Sequence, residues 1–144
     1  MSVEATQRPL VACGIIVLRN GKILLGERLS SHGAGTFQIP GGHLEYGKTF
    51  AKQASIEVQE ETCLTEIIFK GVISLNNEIV YGKHYVSLGL LAESTQGEPH
   101  TGEPGKSRNW QWYDPEQLPH PLFAPSEGVI AAWKSGVFLN EIRS

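Results

Sequence analysis

From about Lys48 to Thr62 the chain contains no glycine or proline, and Phe50, Ala51, Ala54, Val58 and Thr62 recur at three- and four-residue intervals. That spacing places apolar side chains on one face of a helix. One long central helix is therefore expected, set in a chain that otherwise reads largely as strand. Residues 9–19 and 22–28 are β-rich apolar runs separated by Asn20-Gly21, a dipeptide that supplies the positive φ angles of a tight hairpin. Phe37 to Ile39 reads as a short strand, and the glycines after Pro40 read as a turn. Residues 66–80 and 84–93 are rich in Ile, Val, Tyr and Leu and predict successive antiparallel strands, with Asn76-Asn77 and Gly82-Lys83 as punctuation. Glu93 to Arg108 predicts a surface loop, the region around Trp110 and Trp112 a brief strand, and Pro125 to Gly136 a terminal helix.

At 144 residues the chain suits a single domain, 1–144. Hydrophobic residues at 40% and charged residues at 19% are near the globular average, which disfavours disordered and disulfide-scaffold classes. A net charge of −3 offers no broad attraction for a long nucleic acid or an acidic membrane, leaving a small phosphate-bearing ligand as the expected partner. Cys13 and Cys63 lie far apart with no C-x-x-C spacing, so a reduced, cytoplasmic setting is expected. The apolar stretch from Leu10 to Leu18 is too short to span a membrane, and no targeting signal is apparent.

Three carboxylates give the helix its chemistry. At about 100° per residue Glu57 and Glu61 nearly coincide, and Glu60 lies about 60° to one side. Like charges at i and i+4 destabilise a helix, and here they sit near its negative C-terminal pole. An ordinary solvated acidic patch is the bland reading, but the wheel turns Glu61 toward the side of Phe50 and Ala54, so it should face inward. A carboxylate at a core boundary must be paired, protonated or coordinated. Hard oxygen donors without a pair of histidines suit Mg²⁺ or Mn²⁺ better than Zn²⁺.

The run Gly41-Gly42-His43-Leu44-Glu45-Tyr46-Gly47, followed by Ile56-Glu57-Val58-Gln59-Glu60-Glu61-Thr62-Cys63-Leu64, resembles the Nudix box, G-x5-E-x7-R-E-U-x-E-E-x-G-U, without a gap. Residues 33–45, Trp110-Gln111-Trp112 and Glu116-Gln117-Leu118-Pro119 are similar to the MutT-like nucleotide diphosphatase branch that includes the human thiopurine-nucleotide hydrolase. The resemblance implies an α+β fold, an α/β/α sandwich with a mixed β-sheet and one central box helix. It also implies Mg²⁺-dependent (or Mn²⁺-dependent) hydrolysis of a pyrophosphate bond in a nucleoside triphosphate or a nucleoside diphosphate linked to another moiety.

Carried over by position, Glu57 and Glu61 would be metal ligands together with the Gly41 carbonyl, and Glu60 a further ligand or water-orienting base. Arg28 would bind phosphate, while Gln38, Gly42, His43 and Phe123 would face the substrate. Trp110 is a second candidate for stacking on a base, and Glu98 and Glu103 are candidates for an extra carboxylate from outside the box. Homodimerisation is implied by resemblance alone. The box departs at three positions, Lys48 for the first glutamate, Ile56 for the arginine and Cys63 for the late glycine. Lys48 reverses a charge, and the wheel places Ile56 on the exposed polar side. A second reading follows, a catalytically impaired Nudix-like domain that binds a nucleotide or a protein partner. Cys63 is expected to matter least, provided its φ is not required to be positive.

Overall fold

The computed structural model describes residues 7–143. The elements run β1 (Leu10–Arg19), β2 (Lys22–Arg28), β3 (Phe37–Gln38), β4 (Gly41–His43), α1 (Phe50–Thr62), β5 (Ile67–Val80), β6 (Lys83–Ser94), β7 (Ser107–Tyr113), α2 (Ala124–Ser135) and β8 (Leu139–Arg143). The main sheet has the order β3-β2-β1-β6-β5-β8, with β4 added on β1 and β7 on β2. It is mixed, because β1 runs parallel to β6 and β5 parallel to β8, while the remaining pairs are antiparallel.

Alternation along β1 shows how the helices clasp the sheet. Cys13, Ile15 and Val17 join Leu24, Leu90 and Ala92 in one core cluster beneath Ala54 and Val58 of α1. Ile16, with Ile23 and Leu25, turns the other way to meet Val129 and Ile130 of α2. Successive strand residues point to opposite faces, so the two helices cover opposite sides and the architecture is the expected α/β/α sandwich. Asn20 and Gly21, at φ 51° and 79°, close the β1–β2 hairpin as anticipated.

Several segments differ from the sequence reading. Asn76 and Asn77 do not punctuate anything: they lie inside the continuous strand β5, where Asn76 is fully buried and accepts a hydrogen bond from Asn140 on β8. Gly41 and Gly42 form strand β4 rather than a turn, pairing with Cys13 and Gly14. The reason is close approach, since a side chain on Gly41 would collide with the Cys13 carbonyl. The β6–β7 connection is shorter than expected, because β6 extends to Ser94 and β7 begins at Ser107. Helix α2 is not terminal, for β8 follows it along β5.

Helix α1 begins where Thr49 accepts a hydrogen bond from the Lys52 N–H at 3.1 Å, the usual way to satisfy a first-turn donor. Phe50, expected inward, is 37% exposed at this first turn. The helix ends at Cys63, which is left-handed at φ 66°. This is the condition under which the missing glycine does matter, because a side chain disfavours that conformation. Cys63→Gly is expected to raise stability by about 1 kcal/mol, or roughly 3 °C in Tm. A thermal melt in which the variant matched or fell below the parent would contradict this account of the helix end.

Candidate active site

The cavity at the edge of the sheet measures about 510 Å³ and gathers every box-helix carboxylate with residues from both faces. Arg28, Gln38, Gly41, Gly42, His43, Glu57, Glu60, Glu61 and Phe123 all line it, so the predicted site residues are brought together. Of the two loop candidates, Glu103 lines this cavity, whereas Glu98 lies in a separate depression beside Cys63 and Gly97. Trp110 is not in the cavity: it is buried in the α1-side core against Gly26, and its indole N–H donates to Ser107 Oγ.

Glu61 faces inward as its helical phase required and is only 5% exposed. The Gly41 N–H donates to its Oε2 at 3.0 Å, and Gln38 Nε2 lies 3.3 Å from its Oε1. Glu57 accepts from Gln53 Nε2 at 3.0 Å, and a Cβ on Gly42 would sit only 2.7 Å from both Glu57 carboxylate oxygens. Gly42 therefore leaves that carboxylate its place.

Burial pushes the Glu61 carboxyl well above the usual range, against the Gly41 hydrogen bond and with help from neighbouring Glu57. Glu57 is likewise raised by burial, with Glu60 and Glu103 adding to the repulsion. The same environment pushes the Cys13 thiol up to about 11, through burial and then Glu57. Among the described residues, the ion pairs found do not include Glu57, Glu60 or Glu61. A buried and a half-buried carboxyl in contact, hydrogen-bonded only by neutral donors, are an arrangement that a divalent cation would relieve. No three His, Cys, Asp or Glu side chains among the described residues converge closely enough to hold an ion unaided.

The cationic side of the cavity is built on Arg28. Its guanidinium donates to Gln38 Oε1 at 2.7 Å and to the His32 carbonyl at 2.5 Å, and lies 4.0 Å from the centre of the Phe123 ring. Burial lowers its pKa, but the nearby Glu61 opposes that shift. His43 is exposed and stacks on Tyr85 with ring centres 5.6 Å apart, its Nε2 3.2 Å from the Tyr85 hydroxyl.

Gln53 was not expected to contribute. Fully buried, it donates to Glu57 and Glu45 and accepts from the Glu45 N–H, tying the helix to the loop before it. Its signal was its place one turn before Glu57, a spacing at which side chains meet. Ile56 is half-buried rather than exposed, so it gains some packing where an arginine was expected. Gln53, not residue 56, therefore holds Glu57. Lys106, Glu78, Tyr85, Ser87 and Ser126 also line the cavity without having been anticipated, because they come from a loop, two strands and the start of α2, and no spacing within one element marks them as sharing a site.

The β6–β7 loop is seated on the end of α1. The His100 N–H donates to the Thr62 carbonyl at 2.8 Å and the Gly102 N–H to the Glu61 carbonyl at 3.0 Å. Two helix-end acceptors are thus satisfied from outside the helix. The seat brings Glu103 and Lys106, which pair at 3.7 Å, to the rim of the cavity.

A family profile described as the NUDIX domain matches residues 8–134. The chain is 31% identical over 133 residues to the ADP-ribose pyrophosphatase of Methanocaldococcus jannaschii, covering 89% of this chain and 76% of that one. It is 32% identical over 128 residues to the 8-oxo-dGTP diphosphatase of Escherichia coli, covering 86% and 95% respectively. Among solved structures, the MutT NUDIX hydrolase from Burkholderia pseudomallei superposes with a TM-score of 0.76 at 26% identity, over 87% of this chain and 98% of that one. The box carboxylates on α1, the mixed sheet between two helices and these matches together make the chain a member of the Nudix family, a MutT-like hydrolase.

Proposed function

We propose that the chain, as one domain spanning 1–144, hydrolyses a nucleoside triphosphate or a nucleoside diphosphate linked to another moiety. The bond cleaved is a pyrophosphate bond, and the cation is Mg²⁺ or Mn²⁺. The observation that carries this reading is the Glu57–Glu61 pair, Glu61 buried and Glu57 half-buried, which neutral donors position and which joins no ion pair among the described residues. Glu57, Glu61 and the Gly41 carbonyl would hold the ion, with Glu60 or Glu103 as a further oxygen donor or as the group that orients water. When bound there, the ion screens phosphate charge and lowers the pKa of a bound water. Arg28, braced by Gln38 and the Phe123 ring, binds phosphate oxygens, and Lys106 offers a second cation at the rim. Gly42 and His43 line the approach. The names of the two relatives, a pyrophosphatase and a diphosphatase of nucleotides, support the choice of bond.

No helix among the described residues is long and apolar enough to cross a membrane. Both cysteines are free. We place the reaction in the cytoplasm, where such thiols stay reduced.

The second reading, a nucleotide-binding or protein-binding domain with impaired catalysis, draws on Lys48 and Ile56. The test is release of phosphate or pyrophosphate from a panel of nucleoside triphosphates and diphosphate conjugates, with Mg²⁺, with Mn²⁺ and with chelator. Turnover that chelator abolishes supports the hydrolase; none on any substrate supports the binder. Lys48→Glu with Ile56→Arg restores a negative charge and lets residue 56 pair with Glu60 one turn later. That double variant is expected to raise kcat/KM roughly tenfold, equivalent to about 1.4 kcal/mol of barrier. A fall in turnover would refute the importance given to both positions.

A further inference from the structure

Phosphate binding at Arg28 depends on where its guanidinium is held, because the planar fork recognises oxygens only in a fixed orientation. Three contacts hold it: the Gln38 side-chain oxygen, the His32 carbonyl and the Phe123 ring, whose centre is 4.0 Å away. The first two are hydrogen bonds to residues close by in the chain, between Arg28 and the end of β3. The third is only as firm as the ring itself. The Phe123 N–H donates to the Phe37 carbonyl at 2.8 Å, which anchors the backbone and leaves the half-buried ring to its neighbours. Gly33 closes on one edge of that ring, where a Cβ would come within 2.7 Å of Phe123 Cδ1.

Tyr81 reaches the same ring from the tip of the β5–β6 hairpin. Its ring lies nearly parallel to that of Phe123, at 7° with centres 5.7 Å apart, within the range of stacked aromatic pairs. It also lies 6.2 Å from the ring of His32, the residue whose carbonyl accepts from Arg28. Tyr81 does not line the cavity, so it acts on a ligand there only through these neighbours. Its backbone shows that the ring is not present for the sake of the turn. Val80 pairs with Lys83, which leaves Tyr81 and Gly82 as a two-residue hairpin turn, both at positive φ, 53° and 71°. Asn-Gly suits such a turn, and the β1–β2 hairpin has it, with Asn20 at φ 51°. A bulky side chain at that angle is an outlier that disfavours the turn. The Tyr81 side chain is 40% exposed, so burial offsets little of this. A strained residue of this kind points to a role beyond the hairpin.

We infer that Tyr81 is a positioning residue for phosphate binding: its ring holds Phe123, and Phe123 holds the Arg28 guanidinium toward the cavity. The inference rests on the reading of Arg28 as a phosphate ligand. Isothermal titration of the full chain with inorganic pyrophosphate in Mg²⁺ tests it, beside a thermal melt of each variant. Tyr81→Asn gives the turn a residue it prefers and removes the ring. It binds pyrophosphate about tenfold more weakly and melts no lower than the parent. Tyr81→Phe keeps the stack and stays within about twofold of the parent. In an Arg28→Lys background, where a compact ammonium replaces the planar group on Phe123, Tyr81→Asn changes affinity by less than about twofold.

Undiminished binding by Tyr81→Asn overturns the inference and leaves the hydrolase reading standing. An equal loss with and without Arg28→Lys does the same, for the ring would then act by some route other than the guanidinium. A Tyr81→Asn variant that melts below the parent, or does not fold, assigns the ring to stability and overturns the inference as well. Failure of pyrophosphate to bind the parent removes Arg28 as a phosphate ligand and this inference with it, whereas turnover on the substrate panel decides the hydrolase reading separately.

Discussion

Glu61→Gln is expected to lower kcat about a thousandfold on any substrate the chain hydrolyses, without lowering its thermal midpoint measured in chelator. The two halves of the result have separate origins. The side chain is buried, sits against Glu57 and is held by the Gly41 N–H, so an amide of the same shape can keep its packing. What the amide lacks is the negative charge that a cation requires. The carboxylate costs desolvation in the metal-free chain, and the variant is therefore as stable as the parent or more so. A variant retaining a tenth or more of parental turnover would remove Glu61 from the centre of the mechanism. A large drop in Tm would mean that the loss reflected folding instead.

Gly102→Ala is the second large effect, and it acts from outside the box. A Cβ at this position would overlap the Glu60 carbonyl oxygen and approach the Glu61 carbonyl carbon to 3.2 Å, and both are backbone atoms of α1. Neither can move aside without distorting the helix, so the loop must lift. Lifting breaks the hydrogen bonds from His100 and Gly102 to the helix end and withdraws Glu103 and Lys106 from the rim. A stability loss of about 2 kcal/mol is expected, with Tm lower by roughly 7 °C. Turnover should fall at a temperature where the variant is still folded. Gly105→Ala is the control: its Cβ meets nothing within 4 Å, so its effect should stay within about 0.5 kcal/mol. Equal behaviour of the two variants would show that the loop is not seated as described.

What the sequence disclosed follows from where the physics is local. Asn20-Gly21 defined a hairpin because both residues must take positive φ, and they do. The phase of Glu57, Glu60 and Glu61 followed from 3.6 residues per turn, and the burial of Glu61 follows that phase. Elements set by distant partners were less legible. Asn76 resembles a breaker until β8 arrives beside it and Asn140 satisfies its side chain. Gly41-Gly42 resembles a turn until β1 provides a pairing edge at Cys13 and Gly14.

The site divided along the same line. Box residues share one helix, so spacing revealed them, and the resemblance supplied Arg28, Gln38, His43 and Phe123. Glu78 and Ser87 meet only because β5 and β6 pair in one particular register, with Asn76 opposite Ser87 and Glu78 opposite Tyr85. No pattern within either strand announces that meeting. Lys106 needed the loop to be seated before it could reach the rim.

That seat also bears on how this enzyme could change its preferences. The loop delivering Glu103 and Lys106 shares hydrogen bonds with the turn of α1 that bears Glu60 and Glu61. Exchanging the loop for a longer or shorter one would therefore disturb the carboxylates at the same time, so any change of substrate preference gained there would be inherited together with altered chemistry.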